Sequence, residues 1–265
     1  MTKIVKTSLE VVKKAELDEK LFGYIKRDLA PHLFTIYDLL YERENTRIWV
    51  VKVGGEVRGY LLYWKPLDSW IIEVDDVRHA ETLLRHAAPE RGSMIVDPKL
   101  LRIIERNVKL VEAHDWILMK VERGEERLVD FGDVVELKPS HADKLYDLYR
   151  LWPAGGRSRT YLESWIRRLP VFGIFKGDEL ISASGLLAKS SYGGVIGGVF
   201  THPRHRRRGY ASKVVSAATS RILRESGLSA LYLSSDNSIA FRLYRKLGYR
   251  IHSRKIFVKF QCMMR

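Results

Sequence analysis

The chain has 265 residues, 46% of them hydrophobic and 29% charged, and its formal net charge at pH 7 is +14. This length favours two domains, and the composition excludes a chain dominated by disorder. The only cysteine, Cys262, excludes an internal disulfide and a metal site built from several cysteines. We therefore predict that the protein binds no metal.

Positive charge is concentrated in the second half of the chain. Residues 1–130 contain 22 Lys and Arg against 23 Asp and Glu, whereas residues 131–265 contain 24 against 9, so the net charges are −1 and +15. This asymmetry predicts that an anionic ligand or partner binds the second half. The alternative is a solvated basic surface.

Targeting signals are not evident in the sequence. The first twenty residues are charged every few positions, and no stretch reaches eighteen uncharged apolar residues. These features predict a cytoplasmic protein without a membrane partner. Asparagine occurs only at positions 45, 107 and 237, and glutamine only at 261, which favours a thermophilic origin.

The first half contains a hairpin followed by two strand–helix pairs. Arg47–Trp64 places strand-like residues on both sides of a tight Gly-Gly-Glu turn. The pattern then predicts a strand at Trp70–Val74, an amphipathic helix from Val77 to Ala87, a short strand at Met94–Val96 and a helix that begins at Asp97-Pro98.

The second half repeats this order. Val171–Ala188 predicts a second hairpin around a Gly-Asp-Glu turn. The following segments predict a strand at Val195–Thr201, a helix from Ala211 to near Gly227, a strand in "ALYLSS", a helix between Asn237 and Gly248, and a last strand at Lys255–Phe260.

The repeated order indicates an internal duplication. We place the boundary in the charged stretch Val121–Gly132, which gives domains at residues 1–128 and 129–265. Each domain is then a mixed α/β unit with a mostly antiparallel sheet and flanking helices.

The stretch "THPRHRRRGYASKVV" joins a predicted strand to a predicted helix. Gly209 and Ala211 are small where a backbone would approach a ligand, and the free N–H groups of a helix N-terminus favour a phosphate. Arg206 and Arg208 can add charge-assisted hydrogen bonds. The alternative is a basic loop in which Gly209 only permits the turn.

A second motif follows the next strand, Asn237-x-x-Ala240-x-x-Leu243-Tyr244-x-x-x-Gly248-Tyr249. Together with Arg206–Ala211, this segment resembles the GNAT superfamily of acetyl-coenzyme A-dependent N-acetyltransferases. The resemblance covers about Val134–Phe260. The two predicted halves make the whole chain similar to tandem acetyltransferases and to glycine-acyltransferase-like and FR47-like proteins, which implies two tandem GNAT-like domains.

The resemblance implies that acetyl-coenzyme A is the cosubstrate. The end of the central strand would pair with the pantetheine arm, the arginine-rich turn would cradle the pyrophosphate, and the next helix would flank the arm. The implied binding residues are Val199, Phe200, Thr201, Arg206, Arg207, Arg208, Gly209, Tyr210, Ala211, Ser212, Asn237, Ala240, Phe241 and Tyr244.

Tyr244 matches the family tyrosine that protonates the leaving thiolate, and a tyrosine of ordinary pKa near 10 is protonated at neutral pH. The alternatives are a packed core tyrosine for Tyr244 and a plain helix cap for Asn237.

The implied reaction is direct attack of an amine on the acetyl carbonyl in a ternary complex, with a strand N–H near Thr201 polarising the carbonyl oxygen. Val195–Thr201 contains no Glu or Asp where many relatives place a base, so the base is left unassigned. Small amines, protein N-termini and lysine side chains all remain possible acceptors. The loop Leu151–Tyr161, a candidate lining of that site, has no acceptor signature.

The first half has Asp75 and Asp76 where phosphates would bind, and carboxylates would repel them. We therefore interpret it as a degenerate GNAT-like copy. The alternative function is a nucleic-acid-binding protein with a basic C-terminal half and a vestigial coenzyme site.

Overall fold

The computed structural model describes residues 9–14, 16–153 and 156–263, which form two units. Unit 1 comprises Met1–Ile117, Ser234–Asp236 and Ser253–Arg265, and unit 2 comprises Leu118–Leu233 and Asn237–His252. Both units combine a mixed sheet with helices, so the predicted α/β class is confirmed. Within the described ranges, every helix is too short or too polar to cross a membrane.

Unit 1 contains most of the first half of the chain. Its strands are β1 (Leu9–Lys14), β2 (Thr46–Val53), β3 (Glu56–Trp64), β4 (Ser69–Val74) and β5 (Arg91–Val96), and its helices are α1 (Glu19–Ile25), α2 (Leu33–Tyr41), α3 (Val77–Ala87) and α4 (Leu101–Asn107). The next strand, β6 (Lys109–Glu122), begins in unit 1 and ends in unit 2.

The sheet of unit 1 is completed by the end of the chain. Strand β12 (Arg250–Gln261) pairs antiparallel with β5, from Ile256 opposite Val96 to Gln261 opposite Arg91. The strand order in this unit is β1-β2-β3-β4-β5-β12, and the β4–β5 pair is parallel. Apolar side chains of α3, α4 and these strands form the core, because each element turns one apolar face inward.

Unit 2 contains the remaining elements. Its strands are β7 (Val135–Glu136), β8 (Val171–Lys176), β9 (Glu179–Ser190), β10 (Gly193–Thr201) and β11 (Leu228–Ser234), and its helices are α5 (Ala142–Tyr149), α6 (Arg159–Arg168), α7 (Tyr210–Glu225) and α8 (Ser238–Lys246).

The sheet of unit 2 runs β11-β10-β9-β8-β7, and only β10 and β11 pair in parallel. Helices lie on both of its faces. A Cβ atom on Gly194 would come within 2.8 Å of Ile222 on α7, whereas one on Gly198 would come within 2.6 Å of the Tyr149 hydroxyl on α5. Strand β10 is thus covered by α7 on one face and by α5 on the other.

The two predicted hairpins and the strand–helix order after each are confirmed. Each unit also has one parallel pair of the same length, Ser69–Ile71 with Ser93–Ile95 and Gly194–Ile196 with Ser229–Leu231. The boundary at residue 128 stays a prediction. The contacts of the chain group the terminal segment Ser253–Arg265 with unit 1.

Candidate functional site

The parallel strands β10 and β11 pair over only three residues. Their register runs from Gly194 opposite Ser229 to Ile196 opposite Leu231. Strand β10 continues to Thr201. Beyond Ile196, no pairing of β10 with β11 is found in the described part of the chain, so the backbone of β10 is open to a ligand on that side.

A β-bulge interrupts β10 in this open section. The register with β9 jumps between Gly197 and Phe200, so Gly198 and Val199 have no partner residue there. Gly198 has a φ of +64°, a left-handed conformation that favours glycine. A bulge leaves its extra residue outside the ladder and redirects the strand. Here it leaves the Gly198–Val199 peptide outside the ladders on both sides.

The N-terminus of α7 has no side-chain cap. Gly209 is its N-cap residue and has a φ of +80°, and Arg207 has a φ of +62°. Left-handed residues in such a turn direct consecutive N–H groups toward one point, and the helix dipole adds partial positive charge there. The predicted residues Tyr210, Ala211 and Ser212 form the first turn of this helix. The geometry is that of an anion-binding site.

The three arginines before Gly209 differ in their contacts. The Arg206 Nε atom donates to the Thr201 carbonyl at 3.2 Å, and its guanidinium lies 5.5 Å from the centre of the Phe200 ring. Arg206 is therefore braced against the end of β10. Arg207 and Arg208 are exposed, and neither forms an ion pair with a described residue. Their charges are available to an anion.

Asn237 is the N-cap residue of α8, and its Oδ1 accepts a hydrogen bond from the Ala240 N–H at 3.0 Å. The capping role is therefore present. Ala240 and Phe241 are half-buried in the first turn. Whether these residues also flank a pantetheine arm stays a prediction.

Tyr244 is buried on α8, with its ring centre 6.0 Å from that of Tyr249. Burial raises the pKa of Tyr244 far above its usual value, and proximity to Tyr249 adds to this. The hydroxyl therefore carries its proton throughout the physiological pH range. It forms no hydrogen bond with a described residue, whereas the Tyr249 hydroxyl contacts Thr219 and Ser229 at 2.9 and 2.7 Å. Tyr244 thus keeps a donor free.

The corresponding helix of unit 1 has a different terminus. Asp76 caps α3 by accepting from the Arg78 N–H at 2.8 Å, and its carboxylate also binds the Arg78 guanidinium at 2.7 Å. These hydrogen bonds lower the pKa of Asp76. A carboxylate thus occupies the place where an anionic ligand would bind.

Glu179, His202 and His205 lie close together before α7. Their possible ligand atoms are all within 4.8 Å of one another. The His202 Nδ1 atom accepts a hydrogen bond from the Arg204 N–H at 3.1 Å, so Nε2 carries the proton in the neutral ring. The His205 Nδ1 atom is buried without a partner. A metal-bound histidine donates its second N–H to an acceptor, and neither ring does so here.

Comparison with known proteins agrees with this geometry. Residues 171–258 match the family model described as FR47-like protein. A comparison with curated protein sequences finds no significant match. A tandem GNAT protein from the clavulanic acid biosynthesis pathway superposes with a TM-score of 0.62 and 16% identity, over 97% of this chain and 100% of that one.

Two further solved structures are similar in the same way. A Drosophila protein has a TM-score of 0.66 and 17% identity, over 81% of this chain and 79% of its own. A GCN5-related N-acetyltransferase from Sphaerobacter thermophilus has a TM-score of 0.58 and 13% identity, over 95% of both chains. The chain thus has the tandem GNAT fold. Its segment 171–258 matches the FR47-like family model, and the predicted resemblance to the GNAT superfamily is confirmed.

The bulge and the side chain that contacts it were not predicted from the sequence. The Tyr149 hydroxyl donates to the Gly198 carbonyl, although the two residues are 49 positions apart. The doublet Gly197-Gly198 inside a strand was the available signal, because glycine in a strand often marks a bulge or a close approach. Nothing in the local sequence singles out Tyr149.

Proposed function

We propose that the protein is an N-acyltransferase that transfers an acetyl group from acetyl-coenzyme A to a primary amine. The observation that carries this proposal is the uncapped N-terminus of α7 directly after the open, bulged end of β10. The FR47-like match over residues 171–258 supports the same activity. The reported matches lend no support to the nucleic-acid alternative.

The residues of unit 2 fit this cosubstrate. The turn at Arg207 and Gly209 offers backbone N–H groups to a pyrophosphate, and the exposed Arg207 and Arg208 add positive charge. The unpaired side of β10 offers N–H and C=O groups to an amide-containing arm. Arg206 contributes by holding the turn against Thr201 and Phe200.

Acetyl-coenzyme A supplies an activated acyl group with a thiol leaving group. In the proposed reaction the amine nitrogen bonds to the acyl carbon, the carbon–sulfur bond breaks, and Tyr244 gives its proton to the sulfur. The amine releases its proton to solvent, Tyr244 regains a proton from solvent, and we assign no residue as the base. The Val199 N–H is a candidate for polarising the carbonyl oxygen, because Val199 has no partner residue on β9. The Thr201 N–H stays a second candidate, because the hydrogen bond from the His202 N–H to the Ile181 carbonyl makes Thr201 and Ser182 a non-hydrogen-bonded pair.

The acceptor is an amine of undefined identity. A thiol-release assay with acetyl-coenzyme A and a panel of small amines, peptides with free N-termini and lysine peptides would test the proposal. We expect release to depend on one class of amine. Absence of acetyl-coenzyme A binding in calorimetry would contradict the proposal, and binding without release on any amine would contradict the reaction.

A further inference from the structure

Tyr149 contacts the bulge of β10, and its side chain takes no direct part in the proposed reaction. It is the last residue of α5, it is 3% exposed, and its hydroxyl donates a hydrogen bond to the Gly198 carbonyl. Burial raises the pKa of Tyr149 far above its usual value. The hydroxyl therefore remains protonated and remains a donor at every pH at which the protein is assayed.

The fit between Tyr149 and the bulge is close. A Cβ atom on Gly198 would lie 2.6 Å from the Tyr149 hydroxyl oxygen and 2.7 Å from the Trp165 ring. Only glycine allows this approach, and only glycine adopts the φ of +64° without strain. The close approach of the Tyr149 hydroxyl and the left-handed φ therefore both require glycine at position 198.

The hydrogen bond from Tyr149 to the Gly198 carbonyl also sets the direction of the Val199 N–H. The Gly198 C=O and the Val199 N–H belong to one planar trans peptide and point in opposite directions. A hydrogen bond that fixes the carbonyl toward α5 therefore fixes the N–H away from α5. That N–H has no partner residue on β9, and the pairing of β10 with β11 has already ended at Ile196.

We propose that Tyr149 is a positioning residue that holds the Gly198–Val199 peptide so that the Val199 N–H can donate to the acyl carbonyl oxygen. This inference rests on the proposed acyltransferase function. A preorganised donor is worth more than one that must rotate into place during the reaction, because no reorganisation is needed at that moment. Tyr149 touches neither substrate in this role and acts only through the peptide.

A purely structural role for Tyr149 is the competing explanation. Its ring is packed by Trp152, Trp165 and Phe200, with centroid distances of 5.7, 6.4 and 6.4 Å. A Tyr149→Phe variant keeps these ring contacts and removes only the hydroxyl. It therefore separates packing from peptide orientation.

The experiment compares wild type, Tyr149→Phe and the control Tyr146→Phe. Tyr146 lies on the same helix, is 40% exposed and has no hydrogen bond to the bulge. We would measure kcat, KM and the infrared carbonyl band of acetyl-coenzyme A labelled with ¹³C at the thioester carbonyl. In wild type, bound label should show a band at lower frequency than free label, because a donated hydrogen bond weakens the C=O bond.

For Tyr149→Phe we expect kcat to fall about 10-fold or more, since loss of a whole oxyanion donor costs about 10²–10³-fold. We expect acetyl-coenzyme A affinity to change less than about threefold and the carbonyl band to move back toward its free frequency. Tyr146→Phe should match wild type. A Tyr149→Phe variant with wild-type kcat and an unchanged band would overturn the inference.

A second measurement covers the case in which Tyr149→Phe does not fold. The Val199 amide proton of the isotope-labelled wild-type protein should shift downfield in NMR spectra when acetyl-coenzyme A binds. An unmoved Val199 resonance in the bound protein would also overturn the inference. If wild type binds no acetyl-coenzyme A, the proposed function itself fails, so the two failures are distinguishable.

Discussion

At the scale of single residues, the neighbouring tyrosines Tyr244 and Tyr249 differ in the hydrogen bonds of their hydroxyl groups. Tyr249 is fully satisfied, because its hydroxyl contacts Thr219 and Ser229 inside the core. Tyr244 is also buried but leaves its hydroxyl without a partner among the described residues. The proposed proton transfer to a bound thiolate would use this unpaired donor.

We predict that Tyr244→Phe lowers turnover by about 10²–10⁴-fold, the usual range for loss of a general acid. Affinity for acetyl-coenzyme A should stay nearly constant because the ring remains. Steady-state kinetics and calorimetry would measure the two effects. Tyr249→Phe is the matched control, and it should lower the unfolding temperature and leave turnover intact. Equal turnover in Tyr244→Phe and wild type would return Tyr244 to a packing role.

At the scale of elements, the N-termini of α3 and α7 explain the difference between the two units. Helix α3 follows β4 and α7 follows β10, and each of these strands pairs in parallel with another strand over three residues. Helix α3 has its terminal N–H groups occupied by Asp76, whereas α7 begins at Gly209 without a side-chain cap. The N-terminus of α3 is thus occupied by the Asp76 carboxylate, whereas that of α7 can bind an anionic group of a ligand.

We predict that Gly209→Val weakens acetyl-coenzyme A binding strongly. A Cβ atom at Gly209 meets no protein atom within 4 Å, so the added side chain would extend into the space in front of the helix. Gly177→Val is the control, because Gly177 also has a left-handed φ, of +59°, and open space around it, but lies in the β8–β9 turn. Both variants carry strain of about 1–2 kcal/mol. Equal affinities of the two variants in calorimetry would contradict the cradle.

The same comparison predicts the stoichiometry. We expect one acetyl-coenzyme A molecule per chain in a calorimetric titration, because α7 has an uncapped terminus next to exposed arginines, whereas the corresponding helix α3 is capped by Asp76. Asp76→Ala should leave the affinity of that one site unchanged, since Asp76 belongs to unit 1. Two equivalent sites in the wild-type protein would contradict the interpretation of the first half as a degenerate copy.

At the scale of the whole molecule, the end of the chain completes the unit that the beginning of the chain starts. Lys255, on β12, forms an ion pair with Glu73 on β4 at 2.6 Å, and the two residues are 182 positions apart. The Lys255 side chain is 4% exposed and that of Glu73 is 15% exposed. Burial raises the pKa of Glu73, and Lys255 opposes this rise. Each charge therefore depends on the other.

We predict that Lys255→Met destabilises the protein by about 3–5 kcal/mol, the typical cost of leaving one buried charge without its partner. The double variant Lys255→Met with Glu73→Leu should recover most of this loss, because it removes both charges. Urea unfolding monitored by circular dichroism would measure both effects. A Lys255→Met variant as stable as wild type would show that Glu73 takes up a proton at little cost.

The sequence by itself determined the local elements and the motif. Glycine turns, helix caps and apolar periodicity act over a few residues, so the hairpins at residues 47–64 and 171–188 and the helix after Asn237 were predicted and are confirmed. The resemblance to the GNAT superfamily likewise came from the Arg206–Ala211 and Asn237–Tyr249 motifs, because their residues and spacing can be read directly from the sequence. Several helices before each hairpin were not predicted, since packing decides their formation more than local preference does.

Only the tertiary structure decided which distant groups meet. The hydrogen bond from Tyr149 to Gly198, the bracing of Arg206 against Phe200 and the pair of Lys255 with Glu73 depend on which strands are neighbours and on where a bulge falls. A single sequence has no local signal for such pairings, because the same side chains would satisfy their polar groups in water in the unfolded chain. They become defined only when burial removes that water and leaves each group one partner within reach.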